Sequence, residues 1–239
     1  MGKRLRQQRR GKGSMSYTRP PGASLIDASF PTLKADMIAV GEVMRLVDDP
    51  GHKAPLMLIE FEDGSESVLI APEGVKVGDR LELGRGSGIE IGNVLPLGGI
   101  PDGMSVYNIE ANPMDGGRMA RSAGSYATVM AHVQDRVSVL MPSKKVITLD
   151  SNCRAGIGAV AGGGAGARPL MIAGKSHHIR HAVNAFWPRN RGVKMNAVDH
   201  PFGGKQHHKG KSSMTSGNAP PGRKVGHLRA SRVGRKKRG

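Results

Sequence analysis

Apolar and polar residues between positions 35 and 83 alternate in short runs, a pattern typical of β-strands. The clearest pair is Leu56–Phe61 and Ser67–Ile70, which flank the dipeptide Asp63-Gly64. Glycine at the second position of such a turn accepts positive φ, so this segment predicts a β-hairpin. Three further runs predict short strands: Met37–Val40, Val43–Val47 and Val77–Leu83. Several short strands at this spacing indicate a small barrel.

A second β region follows a glycine-rich stretch over Gly84–Gly103, which we interpret as a junction. Four runs in this second region predict strands: Ser105–Ile109, Tyr126–Val133, Val137–Met141 and Val146–Leu149. The sequence therefore predicts a mainly β fold of two small barrels in series.

Both ends of the chain lack such a pattern. In residues 1–34, glycines and the Pro20-Pro21 pair interrupt any helix, so we expect an extended arm. Residues 168–184 predict one or two short helices, although Gly174 disfavours a helix interior. Beyond Phe186 there is almost no apolar periodicity, and we expect this segment to be disordered until it binds a partner.

The composition fits small cores with long loops. The chain has 239 residues, enough for one or two domains, with 35 glycines and only eight aromatic residues. Cys153 is the one cysteine, so no intrachain disulfide forms, as is usual in a reducing compartment. No apolar run reaches the roughly 18–20 residues of a membrane span, and the N-terminus lacks the apolar segment of a signal peptide.

The charge is distributed unevenly along the chain. The formal net charge is +17, yet every carboxylate lies between Asp27 and Asp199. Residues 1–19 hold seven Lys/Arg and residues 200–239 hold eleven, whereas residues 20–150 hold 11 basic against 18 acidic residues. Such concentration of like charge favours binding of a polyanion, RNA or DNA. The alternative interpretation of a basic tail is a solvated or targeting segment.

Two glycine motifs resemble nucleotide-binding signatures without completing them. Gly174-Lys175-Ser176 ends like a phosphate-binding P-loop, but position 169, where that loop needs glycine, is Pro169. Gly156–Ala161 fits a dinucleotide fingerprint, yet no carboxylate follows about twenty residues later. The glycines instead allow close backbone approach to a phosphate backbone beside Arg154 and Arg168, or form a flexible loop without a partner.

Three groups of side chains permit more than one chemistry. His177, His178 and His181 suit either a metal cluster with Cys153 or RNA contacts, and RNA is favoured because no carboxylate is near. Asp199-His200 suits a general base or, as we prefer, a turn cap and an RNA contact. Phe186-Trp187, followed by Arg189 and Arg191, suits stacking on unpaired bases or anchoring of the tail.

Three segments of the chain resemble sequence motifs of one protein family, and they occur in the same order as in that family. Residues 191–204, RGVKMNAVDHPFGG, resemble the C-terminal signature of the universal large-subunit ribosomal protein L2 family. Residues 117–124, GRMARSAG, are similar to its central segment, and residues 2–14, GKRLRQQRRGKGS, are similar to its archaeal and eukaryotic branch. The resemblance spans nearly the whole chain.

The resemblance implies an oligonucleotide-binding-type barrel, then an SH3-like barrel, then an RNA-embedded extension. The corresponding division is an arm at 1–34, the first barrel at 35–88, the second barrel with its glycine-rich loop and short helices at 89–185, and a basic extension at 186–239. It further implies a cytoplasmic structural protein of the large ribosomal subunit that is a primary rRNA binder. Such a protein lies near the peptidyl transferase centre and supports subunit association, tRNA binding and peptide-bond formation without catalysing it.

The implied partners are large-subunit rRNA, neighbouring ribosomal proteins and a contact with the small subunit, with no membrane. The resemblance implies no cofactor beyond magnesium ions shared with rRNA, no catalytic residue and no metal ligand. His200 falls on the family's histidine near the peptidyl transferase centre. The candidate rRNA contacts are Lys3, Arg4, Arg6, Arg9, Arg10, Arg118, Arg121, Arg154, Arg168, Lys175, His178, Arg180, Trp187, Arg189, Arg191, Lys194, His200, Lys205, Lys209, Lys211, Arg223, Lys224, Arg229 and Arg232.

Two other functions stay open. The chain could be an architectural DNA- or RNA-binding protein outside the ribosome, in which case duplex DNA would compete with structured RNA. It could also be an enzyme acting on nucleic acid. That chemistry needs clustered carboxylates for metal ions, and residues 151–239 offer only Asp199.

Overall fold

The structure is a computed structural model that describes residues 2–18, 20, 26–32, 37–204, 212–232 and 234. The chain forms two compact units. We call Pro21–Met171 the barrel unit, and Met1–Pro20 together with Ile172–Gly239 the terminal unit. The two ends of the chain therefore belong to the same unit.

Among the described residues, the barrel unit contains ten strands: β1 (Ala39–Val47), β2 (Leu56–Phe61), β3 (Glu66–Ile70), β4 (Arg80–Leu83), β5 (Val94–Pro96), β6 (Ser105–Tyr107), β7 (Ala127–Val133), β8 (Arg136–Leu140), β9 (Val146–Asp150) and β10 (Arg154–Ile157). They hydrogen-bond in the order β3-β2-β1-β4-β5-β10-β6-β7-β8-β9. Neighbours are antiparallel except β4 and β5, which are parallel and paired at Leu83 and Val94.

The first half of the barrel unit, β1 to β4, has its own core. Alternate residues of the strands point inward, and Val43, Met57, Ile59 and Leu83 are fully buried there. Gly64 has a φ of 77° in the turn between β2 and β3. The predicted hairpin is confirmed, since β2 and β3 pair from Leu56–Ile70 to Glu60–Glu66.

The second half, β5 to β10, is built around a separate core. Its centre includes Val106, Val129, Val137 and Val139, all fully buried. The sequence periodicity located β6 to β9, but it predicted neither β5 nor β10. The prediction of a mainly β fold with two barrel-type halves is therefore confirmed.

Two strand predictions needed correction. The runs over 37–40 and 43–47 belong to one strand, β1, with a bulge between Val43 and Arg45. Gly41 does not interrupt β1, because the absence of a side chain lets Ile59 and Phe61 pack against its backbone. The glycine-rich junction over 84–103 contains β5, whose Val94 and Leu95 are buried.

The glycine run after Arg154 differs in part from the predicted approach to a phosphate backbone. Arg154–Ile157 forms β10, a buried strand between β5 and β6. A side chain at Gly156 would collide with the ring of Tyr107, so glycine here permits close packing of protein. The exposed stretch 162–167, which includes the turn Gly163–Gly166, stays available for another surface.

The terminal unit has little regular structure. Helix α1 (Arg6–Gly11) contradicts the expected extended arm, because Arg and Gln favour helix and the glycines end it, Gly13 having a φ of 68°. Helix α2 (Ala173–Ala182) confirms the prediction over 168–184. Two short strands, β11 (Met214–Thr215) and β12 (His227–Leu228), pair in parallel. Within the described ranges, neither helix has the length and apolarity that a bilayer crossing requires.

Candidate nucleic-acid interface

A basic groove of about 660 Å³ lies within the terminal unit. Its lining side chains include six cations: Arg6, Arg9, Arg10, Arg189, Lys194 and Lys224. Among the described residues that line it, Asp199 is the one carboxylate. We refer to this feature as the basic groove; its local charge suits a phosphate backbone.

Helix α1 forms one wall of the basic groove. The spacing i, i+3, i+4 brings Arg6, Arg9 and Arg10 to one side of the helix. Leu5 anchors the start of the helix, since its side chain is buried and its N–H donates to Gln8 Oε1 at 2.9 Å. The three arginines are thus held by a folded element rather than by a free arm.

The opposite wall is the loop that carries His200. It begins with the 3-10 turn Gly192–Lys194, and the Lys194 N–H donates to the Arg191 carbonyl at 2.9 Å. The N–H of Lys3 donates to the carbonyl of Val198 at 3.0 Å, which joins the N-terminal segment to this loop. No local pattern predicts this contact between distant segments.

The hydrogen bonding of His200 inside the loop selects one tautomer of its neutral ring. Its Nδ1 accepts the N–H of Phe202 at 3.0 Å, so the proton of the neutral ring is on Nε2. Burial lowers the pKa of His200 below its ordinary value. The ring lies so close to Gly192 that any side chain at position 192 would displace it.

Two family models match the chain. The model for the RNA-binding N-terminal domain of ribosomal proteins L2 matches residues 31–83, and that for the C-terminal domain of ribosomal proteins L2 matches residues 90–224. The chain belongs to the ribosomal protein L2 family.

Archaeal relatives resemble this L2 family member over its whole length. The protein named large ribosomal subunit protein uL2 from Methanocaldococcus jannaschii is 48% identical over 242 residues, covering 99% of this chain and 100% of the relative. Proteins of the same name from Methanococcus vannielii and Methanopyrus kandleri are 45% and 44% identical. The former alignment covers 99% of this chain and 100% of the relative, and the latter 98% of each.

Further predicted contacts of this L2 chain lie near the groove or on the exposed surface. Lys3 and Arg4 line a second groove of about 330 Å³ together with His200 and Pro201. Arg180 and Trp187 form a cation–π pair, with 4.5 Å from the guanidinium carbon to the ring centroid. Seven other predicted residues are exposed: Arg168, Lys175, His178, Arg191, Arg223, Arg229 and Arg232. Lys205, Lys209 and Lys211 lie outside the described residues.

The structure gives Arg154 a different role from the predicted RNA contact. Its side chain is 8% exposed and binds the fully buried Glu110, with 2.6 Å between Nη2 and Oε1 and 3.0 Å between Nε and Oε1. Its Nη1 donates to the Pro31 carbonyl at 2.7 Å. The guanidinium is therefore committed to the protein interior, because a buried carboxylate attracts it more strongly than a distant phosphate.

The arginines of the central L2-like segment differ from each other. Arg121 donates to the carbonyls of Gly117 at 2.8 Å and Ala28 at 2.5 Å, so much of its hydrogen-bonding capacity is used inside the barrel unit. The Arg118 side chain is 70% exposed and lies 3.5 Å from Asp115. Of the two, Arg118 remains accessible to a ligand.

The predicted alternative of a metal cluster at His177, His178, His181 and Cys153 is not seen among the described residues. Among the residues that the structure describes, no three His, Cys, Asp or Glu side chains are grouped as metal ligands. Cys153 is buried in the core of the second half, and burial raises the pKa of its thiol to about 11. The rings of His177 and His181 stack with centroids 5.9 Å apart.

Proposed function

We propose that this chain is a structural protein of the large ribosomal subunit that binds the rRNA of that subunit through the basic groove. The observation that carries this proposal is the groove itself: six cations and one carboxylate line a cavity formed by both ends of the chain. Membership of the L2 family and the names of the archaeal relatives support the same function.

Binding through the groove would depend mainly on the phosphate backbone. Lysine and arginine neutralise phosphates and release counterions, which gives an affinity that falls steeply with salt. A-form RNA hides its major-groove base edges, so the protein would recognise shape and backbone. Exposed cations on α2 and around β12, such as Lys175 and Arg229, would extend the contact beyond the groove.

The proposal includes a position of His200 near the peptidyl transferase centre, with a supporting rather than a catalytic role. A general base needs a free nitrogen lone pair, and Nδ1 of His200 already accepts the Phe202 N–H. The remaining nitrogen, Nε2, carries the proton and can donate to RNA. In this position the chain would support subunit association, tRNA binding and peptide-bond formation in the cytoplasmic ribosome.

Within the ribosome, the four predicted segments of the chain would have different roles. The two barrels, predicted at 35–88 and 89–185, would form the platform as far as Met171, since α2 belongs to the terminal unit. The extension at 186–239 and residues 1–20 of the arm predicted at 1–34 would enter the rRNA, because Ala28 and Phe30 are buried in the barrel unit. Neighbouring ribosomal proteins and the small subunit are the further partners in this proposal.

Binding of the full chain to large-subunit rRNA, measured across a range of salt concentrations, tests the role of the groove. The variant R6Q/R9Q/R10Q should reduce the slope of log affinity against log salt by about two, because three phosphate contacts are lost. The matched control R136Q/K144Q/K145Q removes three exposed cations of the second half of the barrel unit, outside residues 31–83, and should leave the slope nearly unchanged. Equal effects of the two triple variants would contradict a groove-centred interface.

A second measurement separates the ribosomal function from the architectural alternative. In sucrose gradients of cell lysate at moderate and high salt, the chain should sediment with the large ribosomal particle. A free or chromatin-bound pool at both salt concentrations would contradict the proposal. So would equal competition by duplex DNA against structured RNA.

A further inference from the structure

A small aromatic pocket of about 190 Å³ lies beside the basic groove in the terminal unit. The side chains that matter most in it are Tyr17, His177, His181, Phe186 and Trp187. We call this feature the aromatic pocket. Phe186 lines both the pocket and the basic groove, so the two cavities adjoin.

Helix α2 supplies one wall of the aromatic pocket. His177 and His181 are four residues apart on the helix and therefore share a face. Their rings stack with an interplanar angle of 26° and centroids 5.9 Å apart. Both side chains are exposed, so this flat wall is available to a ligand.

Asn184 holds the opposite wall in position. It follows the end of α2 with a φ of 50°, a left-handed conformation that asparagine tolerates well. Its Nδ2 donates to the carbonyls of Met15 at 3.1 Å and Thr18 at 2.7 Å. These bonds secure the turn that carries Tyr17 against the end of the helix.

Cations accompany the aromatic rings at the pocket and at its border with the groove. The guanidinium carbon of Arg6 lies 3.3 Å from the centroid of Phe186, and that of Arg180 lies 4.5 Å from the centroid of Trp187. No carboxylate is among the described residues that line the aromatic pocket. The site is therefore suited to a flat aromatic group that is attached to negative charge.

We propose that the aromatic pocket binds one unstacked RNA base while the adjoining basic groove holds the neighbouring phosphates. Every base has a π-face, so stacking on these rings would tolerate sequence variation. A base splayed out of a loop or bulge is the form that aromatic side chains recognise in RNA. This inference rests on the proposed function, because it assumes that the groove binds RNA.

Trp187 is the single tryptophan of the chain and provides a direct reporter of the pocket. The full-length protein is titrated with a twelve-residue oligoadenylate and with an abasic ribose-phosphate oligomer of the same length and charge. Stacking of a base should quench Trp187 fluorescence with the oligoadenylate, whereas the abasic oligomer should bind without comparable quenching.

Variants then locate the effect in the pocket. Tyr17→Ala and His181→Ala should each weaken oligoadenylate binding about ten-fold, as expected for loss of one stacking partner, and leave the abasic oligomer unaffected. Trp187→Phe should retain most of the affinity because it keeps a flat ring. Tyr126→Ala, at an exposed tyrosine of the barrel unit, is the matched control and should change neither affinity. Labelled oligomers read by anisotropy give all these affinities.

The outcomes distinguish the inference from the function on which it rests. Equal affinity and equal Trp187 response for both oligomers would overturn the base pocket and leave groove binding of phosphates standing. Unchanged oligoadenylate affinity in both Tyr17→Ala and His181→Ala would also overturn it. Failure of rRNA to bind the unmodified chain would instead reject the proposed function.

Discussion

Glu110 accepts five hydrogen bonds in the interior of the barrel unit. They come from the N–H groups of Met114, Gly116 and Arg154 and from Nε and Nη2 of the Arg154 side chain. Through Arg154 the same network reaches the Pro31 carbonyl and the ring of Phe30. At the scale of single residues, one buried carboxylate thus joins β10, the loop after Glu110 and the segment before β1.

Arg154→Ala should destabilise the barrel unit by about 3–5 kcal/mol, because the substitution leaves the Glu110 carboxylate buried without its partner. Urea unfolding of the full chain, followed by circular dichroism, measures the change. Arg118→Ala removes an exposed arginine from its Asp115 pair and should cost less than about 1 kcal/mol. A similarly small cost for Arg154→Ala would contradict the explanation that the substitution leaves an uncompensated carboxylate in the interior.

His200 provides a second prediction at this scale. Because burial lowers its pKa in the folded state, the unfolded chain binds the proton more readily. The contribution of His200 to stability should therefore be complete above about pH 6.5, the ordinary value, and decline as the pH falls toward its folded pKa.

Gly192→Ala tests the cause of this shift. The new methyl group would displace the His200 ring from Gly192 and expose it, so the pKa of His200 should rise toward its ordinary value. Nuclear magnetic resonance titration of the histidines, assigned with His200→Gln, gives the pKa. Gly174→Ala adds a methyl group in open space on α2 and should leave the pKa of His200 unchanged. An unchanged value in Gly192→Ala would contradict the packing explanation.

At the scale of elements, the outer face of the first half carries a row of carboxylates. Glu66 pairs with Glu60 across β3 and β2, and Glu60 pairs with Glu42 across β2 and β1. Arg80 of β4 is the neighbour of Glu42 and provides one opposite charge. Like charges placed directly opposite each other destabilise a sheet, so this surface is not optimised for stability.

Glu60→Gln removes the middle charge of this row and should raise the free energy of unfolding by roughly 0.2–1 kcal/mol at low salt. The gain should shrink at high salt, because exposed charges are screened. Thermal or urea unfolding at two salt concentrations measures both effects. Glu90→Gln, at an exposed glutamate between β4 and β5, is the control and should show a smaller gain. Destabilisation by Glu60→Gln would contradict repulsion along the row.

At the scale of the whole molecule, the two units carry net charges of opposite sign. The terminal unit holds 23 Lys/Arg and one carboxylate, a net charge of +22, whereas the barrel unit holds 13 Lys/Arg and 18 carboxylates, a net charge of −5. The terminal unit buries few apolar side chains among its described residues, chiefly Leu5 and Val225. Its order therefore relies on hydrogen bonds and cation–π contacts, and RNA bound as we propose would add to them.

Deleting residues 1–20, with an initiator methionine retained, should loosen residues 172–200 and leave the barrel unit intact. The deletion removes the Lys3–Val198 hydrogen bond, the Arg6–Phe186 contact and the backbone acceptors of Asn184. Hydrogen exchange read by mass spectrometry should show faster exchange in 172–200, with the strands β1–β10 as the internal control. Unchanged exchange in 172–200 would mean that the extension is ordered without the arm.

Periodicity along the chain located most strands, because burial of every second residue is a local property of the sequence. The hairpin of β2 and β3 and the strands β6 to β9 followed from it, but β10, buried at every position, was not predicted. It missed β5, where a three-residue strand in a glycine-rich stretch leaves too short a pattern. It also missed α1, since a six-residue helix of Arg and Gln shows no apolar face.

The sequence alone determined the mainly β fold, the basic ends and the resemblance to the L2 family. These depend on composition, short-range patterns and motifs that are read along the chain. Only the tertiary structure decided which cations face outward, because Arg154 meets a carboxylate 44 positions away. It also decided that the first residues and the loop around His200 enclose one groove. Such pairings depend on which distant segments the fold brings together, and no local pattern encodes that.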